Sequence, residues 1–572
     1  MKSSKREIKK NAALRKNVPA HPRRWLWAAG AALAALAVFW AYTPALHGPF
    51  LFDDTALRPS LRGFEDPLAE WLKGLRPVLM FSYWLNAQIS GEDTYSYHVF
   101  NLLIHCFATG LLFFIVRRLL EWARLERRNL LAGFAALVFL LHPVQTEAVA
   151  YLSGRSESLS VMLVFTAFAV FLYRKRPEAS WVVAAATLLL FGVALLAKEQ
   201  TVVLPALLLL TDYWWNPGFS FKGVRGNWRL YAPAMLGAAG AAALFLPRIV
   251  NSLSAGFSLK DLTWYQYFFT QCRALFVYPA ILLAPVKLTV DWDFPISKTV
   301  LDRGAIIGLL ALLALAAAAW HYRRRFPLAT YGFFVYLLLM APTSSVLPIR
   351  DPVAERRLYF SMIGLLLIAV DLLARLKVGR RTLAAGCLAV VLLAAVVTRA
   401  RAQVWGDPIL FWTDAVAKSP HKARPQFQLA FAYFDQGRYD QAIREFERTV
   451  TLQPPTYGLL VDWGLAYDAV GQSEPALEKF RQAAVLDPTA HVYTQIAMVY
   501  AKRERWSEAL DALATADKLD SNFAATYLYR GKVYFRTGRF AEAAAQYQRA
   551  LEIEPKLDEA RRDLQLLKNG GH

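Results

Sequence analysis

The stretch Gly48-Pro-Phe-Leu-Phe-Asp-Asp-Thr55 sets two carboxylates, Asp53 and Asp54, side by side about ten residues beyond an apolar run. No cation stands next to them. Three other stretches carry unusual polar groups between apolar blocks. "HPVQTEAVAYLSGRSE" (142–157) holds His142, Gln145, Glu147, Arg155 and Glu157. "LLAKEQTVV" holds Lys198, Glu199 and Gln200, and "IRDPVAERRLYFS" holds Arg350, Asp351, Glu355, Arg356 and Arg357. Carboxylates serve as general bases or hold divalent cations. Guanidinium and ammonium groups hold phosphate oxygens. Both sets together at a membrane surface suit a lipid-linked sugar phosphate. Its tail would lie between spans and its phosphate against the cations, while a base takes the proton of an attacking hydroxyl. Each charge also has a plainer reading as a snorkelling side chain, strongest for Arg357. His98, Asn101 and His105 share one helical face, a stripe that suits hydrogen bonds between packed helices as well as a site.

The elements that must position these groups are membrane helices. The chain of 572 residues is 56% hydrophobic, with a mean hydropathy of +0.28. The apolar residues fall in blocks up to about residue 400, of the length that crosses a bilayer. Eleven spans are expected, near 25–42, 98–116, 130–141, 157–173, 180–197, 201–215, 229–246, 303–320, 327–341, 357–374 and 382–398. The net charge of +21 is gathered in clusters between these blocks, which records orientation and not nucleic-acid binding. The tail Met1–Arg24 has nine Lys/Arg against one Glu. With it and the clusters Arg117–Arg128, Arg174–Arg176, Lys222–Arg229, Arg323–Arg325 and Arg375–Arg381 on the cytoplasmic side, the positive-inside rule holds throughout. Residues 263–284, "TWYQYFFTQCRALFVYPAILLA", are then an interfacial or re-entrant segment on the outer side. The N-terminus lies inside and the C-terminus outside, and the unusual polar clusters converge on the outer face. Three cysteines, Cys106, Cys272 and Cys387, form neither a disulfide framework nor a metal-ligand spacing.

After residue 405 the chain repeats every 33–34 residues. Ala442, Ala476, Ala509 and Ala543 share one position. Pro454, Pro488, Ser521 and Pro555 share another; Ala430, Gly464, Ala497 and Gly531 a third; Tyr433, Tyr467, Tyr500 and Tyr534 a fourth. This resembles the tetratricopeptide repeat, a helix pair stacked into a solenoid. Four full repeats follow a half-repeat at 407–420, and Leu557–Lys568 serves as the capping helix. The fold class expected is all-α, with a tail at 1–24, a transmembrane domain at 25–404 and a repeat domain at 405–572.

The stretches "FLFDD", "RPVLMFSYWLN" (Arg76–Asn86), "HVFNLLIHC", "HPVQTEAVAYLSGRSE", "AKEQTVVLP" and "ERRLYFSMIG", with the repeats after them, resemble the transmembrane and tetratricopeptide repeat-containing O-mannosyltransferases. Those belong to the GT-C glycosyltransferase superfamily. The resemblance runs over nearly the whole chain in the same order. It implies a polyprenyl-phosphate-linked sugar donor, inversion at the anomeric carbon, and an acidic pair in the first outer loop at the active site. On that basis Asp53 is the candidate base and Asp54 its partner, with Glu147 from the second outer loop as a third catalytic carboxylate. Arg76, His98, His142, Arg155, Lys198, Glu199, Arg356 and Arg357 are the candidate substrate-binding residues. No cofactor is required, although adjacent carboxylates would admit a divalent cation. The acceptor is a hydroxyl of a protein or glycan, engaged by the repeats. A bacterial member would sit in the inner membrane with periplasmic repeats; a eukaryotic one would sit in the endoplasmic reticulum membrane with lumenal repeats. The alternative from a different function class is a membrane-anchored scaffold without enzymatic activity.

Overall fold

In a computed structural model the described residues are 24–57, 67–250, 256, 259 and 261–568, with the side chains at 24, 26, 56 and 245–250 left aside. Nearly all of the basic tail therefore lies outside the described residues. The regular elements are helical, and no β-strand element occurs among the described residues. The chain divides into two compact units, Met1–Asp407 and Pro408–His572.

Among the described residues, six helices of the first unit are long and apolar enough to cross a membrane: Trp27–Ala45, Tyr95–Trp122, Leu152–Leu172, Asp302–Tyr322, Arg357–Ala374 and Arg380–Val404. A seventh crossing is formed if Arg128–Leu141 and Pro143–Val149, bent by 50° at their junction, count as one. Eleven crossings were expected. Three of the other expected spans fold into helices shorter than the roughly 20 residues a crossing needs, while the one near 229–246 falls in Trp228–Val250, a helix of 23 residues. Trp181–Leu195 has 15 residues, Leu204–Trp215 has 12 and Pro327–Met340 has 14. The bend at His142 has a local cause. Pro143 has no amide hydrogen to continue the helix, and the His142 ring accepts from the Val144 N–H at 3.2 Å. Residues 263–284 form two short helices, Trp264–Ala274 and Val277–Leu283, each too short to cross.

Lipid-facing and protein-facing sides separate as expected of a membrane protein. Leu310, Leu313, Leu388 and Leu393 are exposed, whereas Leu358, Met362 and Leu367 are buried. Close helix contact is made by small residues. A Cβ on Gly332 would fall 2.5 Å from the Gly364 carbonyl, and the reverse holds as well. This brings Pro327–Met340 and Arg357–Ala374 to backbone contact.

The second unit stacks helix pairs of 13 and 14 residues, from Ala423–Asp435 and Tyr439–Leu452 to Ala524–Arg536 and Phe540–Ile553. The repeated alanines 442, 476, 509 and 543 are fully buried. The repeated small position leaves room for an aromatic ring: a Cβ on Gly531 would lie 2.5 Å from the ring of Tyr547, which is buried. Gly531→Ala should therefore lower stability by about 1–3 kcal/mol through overpacking. Gly458→Ala, where nothing lies within 4 Å, should not. Denaturation midpoints of the two full-length variants check this; equal midpoints would refute it.

Candidate active site

The loop that carries Asp53 and Asp54 is built around an uncommon backbone. Phe52 adopts a positive φ of 53°, a conformation that costs a non-glycine residue about 1–3 kcal/mol and needs support from its surroundings. Asp54 supplies that support. Its Oδ1 accepts from the Ser153 N–H and from Ser153 Oγ, both at 2.6 Å. Its Oδ2 accepts from the amides of Leu152 at 3.3 Å and Leu51 at 3.4 Å. Asp54 is 1% exposed, while its neighbour Asp53 is exposed. The Asp53 N–H donates to Tyr151 Oη at 3.1 Å. One carboxylate thus ties this loop to the Tyr151–Ser153 segment, and the other is left exposed.

Burial pushes the Asp54 carboxyl up to about 7, against the pull of the hydrogen bonds from Ser153, Leu51 and Leu152. Because this lies above the ordinary 3.8, the stability it contributes is full below that value. It falls as pH rises between the two and is gone above about 7. Asp54→Asn should remove this pH dependence. It should also cost about 1–3 kcal/mol, since the new amide group must turn its N–H donors toward backbone N–H donors. Melting temperatures of both proteins from pH 4 to 8 check both effects; parallel curves would refute the assignment.

Asp53 opens onto a cavity of about 540 Å³, within the size range of small-molecule sites. Its polar wall carries Arg76, Tyr151, Ser153, Ser156, Glu157, Lys198, Glu199, Gln200, Arg356 and Arg357. Its apolar wall includes Leu195, Val202, Ala241, Leu347 and Ile349. Three of the four cations are matched to carboxylates. Arg76 grips Glu199 with both ends of its fork, at 2.6 and 3.0 Å. Lys198 pairs with Glu157, which also accepts from Gln200. Arg356 pairs with Glu147, whose second oxygen accepts the Arg356 backbone N–H at 2.8 Å. Arg357 donates to the carbonyls of Pro352 and Asp351, at 2.8 and 2.6 Å. Asp53 stands apart: its carboxylate has no ion pair and no side-chain hydrogen bond among the described residues.

The pairings move the titrations. Burial raises Glu199, but Arg76 more than offsets it and holds the carboxyl below its usual range. Burial lowers Arg356, and Glu147 more than reverses that. For Lys198 burial prevails over the attraction of Glu157, so its ammonium lies below the usual lysine range.

Of the residues singled out from sequence, Asp53, Arg76, Lys198, Glu199, Arg356 and Arg357 line this cavity. Glu147 lies behind it, wholly buried, and reaches it only through Arg356. Asp54, bound to the Ser153 loop as described, does not line it, and neither do Arg155, His98 and His142. Arg155 is fully buried and donates to Asn101 Oδ1 at 2.6 Å, the Ser82 carbonyl at 3.0 Å and the Tyr97 carbonyl at 3.0 Å. Its guanidinium also lies over the ring of Tyr83, 4.4 Å from the centroid. His98 is turned to the Gly48 carbonyl at 3.0 Å, and His142 to that of Leu282 at 2.9 Å. These side chains hold loops and helices together. Asn101 and His105 do the same, the latter against Tyr359 and the Leu140 carbonyl.

Tyr151, Ser153, Ser156, Glu157 and Gln200 are cavity residues that sequence reasoning does not select as site residues. Glu157 and Gln200 stand in the quoted polar stretches. Glu157 follows Arg155 by two positions, and on a helix such neighbours do not share a face. Among the described residues, no three histidine, cysteine or acidic side chains come together as a metal site.

A tetratricopeptide repeat profile matches residues 423–455 and 524–557. A protein O-mannosyl-transferase of Caenorhabditis elegans, F38B6.6, is 25% identical over 72% of this chain and 61% of its own length. Protein O-mannosyl-transferase TMTC3 of Mus musculus is 24% identical over 84% of this chain and 57% of its own. TMTC1 of Homo sapiens is 24% identical over 75% of this chain and 55% of its own. The chain thus spans little more than half the length of these curated relatives. Among solved structures, a thermophilic tetratricopeptide repeat protein of Thermus thermophilus, TTC0263, is 24% identical, covering 31% of this chain and 95% of its own, with a TM-score of 0.26.

Proposed function

From its kinship with the transmembrane and tetratricopeptide repeat-containing O-mannosyltransferases, a relationship that runs over most of the chain, we propose that this membrane protein transfers a sugar from a polyprenyl phosphate to a hydroxyl of a protein. The acceptor oxygen attacks the anomeric carbon from the side opposite the phosphate, with inversion. Its proton passes to the Asp53 carboxylate. The bond from the anomeric carbon to the phosphate oxygen breaks, and its electron pair leaves with the polyprenyl phosphate. One negative charge moves from Asp53 to the departing phosphate, where Lys198 and Arg356 stand to receive it. The apolar wall of Leu195, Val202, Leu347 and Ile349 suits the first prenyl units.

The observation that carries this reading is Asp53: a carboxylate without an ion pair among the described residues, on a cavity where three of the four cations are matched to other carboxylates. The repeats are proposed to engage the acceptor. A groove of about 490 Å³ with Lys502, Trp506, Tyr529, Lys532 and Arg536 supports that. By the positive-inside rule the reaction lies on the outer or lumenal face.

The test is purified full-length protein with undecaprenyl-phosphate mannose or dolichyl-phosphate mannose and a threonine-containing peptide. A peptide gaining a hexose-sized mass supports the proposal; none, with either lipid, overturns it. Chelator should leave the rate unchanged, since Glu147, Glu157 and Glu199 already hold cations; loss of activity on chelation would refute this.

The repeats favour one competing reading, a non-enzymatic scaffold. It requires that repeat deletion abolish function while Asp53 is dispensable.

A further inference from the structure

Asp53, Arg76 and Ser153 line two cavities, not one. The second, of about 430 Å³, shares these residues and is walled by Leu57, Leu75, Leu79, Met80 and Tyr83, with Lys73 also lining it. The two have different chemistry. The first sets fixed cations against an apolar wall. In the second, Lys73 is paired to the exposed Glu70 and Arg76 to Glu199, and Leu57, Leu75, Leu79 and Met80 form an aliphatic wall. An aliphatic wall suits an apolar side chain.

Asp53 thus has one cavity suited to a lipid phosphate and another suited to a short apolar segment. A base that takes a proton from one substrate as that substrate attacks another must touch both. Its place on both cavities meets that need. The Asp54 clamp and the hydrogen bond to Tyr151 fix the Asp53 backbone where it lines both.

We propose that the Leu57–Leu75–Leu79–Met80 cavity is the acceptor subsite. It takes an extended peptide with a serine or threonine at Asp53 and an aliphatic side chain seated against Leu79 and Met80. The inference rests on the transferase reading and deepens it by naming where the second substrate lies. An extended segment suits the cavity because alternate side chains point to opposite sides, so the hydroxyl can meet Asp53 while its neighbour enters the pocket.

The test places a photoreactive benzoylphenylalanine at Met80 or at Leu347 in the full chain. Each protein is probed with a hexapeptide library carrying a fixed central threonine, and separately with a photo-inert undecaprenyl phosphate bearing an affinity tag. The expected result is peptide capture at position 80 exceeding that at 347 by at least about tenfold, with the lipid showing the reverse. Peptide captured equally at both positions overturns the proposal. So does a position-80 protein that melts like its parent and captures no peptide. Failure of the transferase reading looks different: no lipid is captured at 347 and no sugar is transferred, whatever the peptide does. Met80→Trp, which fills the pocket, should raise the peptide KM about tenfold more than it raises the donor KM. Equal effects on both would also overturn the assignment.

Discussion

Under the proposed mechanism, Asp53→Asn should lower sugar transfer by about 10²–10⁴-fold, the usual loss when a positioned base is removed. The melting temperature is expected to stay where it was. Both halves follow from the same geometry. The Asp53 side chain makes no ion pair and no hydrogen bond among the described residues, so the fold does not depend on its charge. Asparagine keeps the shape and the backbone hydrogen bond to Tyr151, and only the capacity to accept a proton is lost. The measurement is initial rate with lipid-linked mannose and peptide, beside a thermal unfolding curve. A variant within tenfold of the parent rate would remove Asp53 from the chemistry. A variant that failed to fold would show that the carboxylate has a partner after all.

Arg155→Ala should behave in the opposite way. Removing this guanidinium strands Asn101 Oδ1, the carbonyls of Ser82 and Tyr97, and the faces of Tyr83 and Phe100, all inside the first unit. Leaving buried polar groups without partners, together with the volume lost, should cost about 3–5 kcal/mol. The expected outcome is little folded protein at 37 °C and a much lower melting temperature in detergent. Arg155→Lys should recover only part of the loss, because a single ammonium cannot reach three acceptors set around a fork. If Arg155→Ala folded normally and raised only the KM for the donor, Arg155 would be a substrate ligand.

The contrast between these two residues shows where sequence reasoning runs out. Asp53 and Asp54 are adjacent and chemically identical, and nothing in "FLFDD" says which turns inward. The positive φ at Phe52 and the waiting Ser153 decide it, and Ser153 is about a hundred positions away. Arg155 and Glu157 share one polar stretch, yet one belongs to the helix core and the other to the cavity. Burial of an arginine that deep depends on three acceptors from other helices. The repeats were legible for the opposite reason. Their information is local and recurs four times, so Ala442, Ala476, Ala509 and Ala543 announce the same buried contact without any distant partner. Span counting stood between. Apolar length was visible, but the break at His142–Pro143 and the short helices after it follow from local capping and packing.

The three paired cations of the cavity bear on how an anion would reach it. A free lysine or arginine gives up about 2 kcal/mol of rotamer freedom when it is caught by a ligand. For Arg76, Lys198 and Arg356 that loss is already taken in folding, so the heads are stationary before anything arrives. Because each is neutralised by its own carboxylate, their field fades within a short distance. A phosphate is felt at contact and is not drawn in from afar. Association should then vary little with ionic strength, unlike the steered encounters of proteins with unpaired basic clefts. The proposed lipid-linked donor, confined to the plane of the membrane, would have little need of such steering.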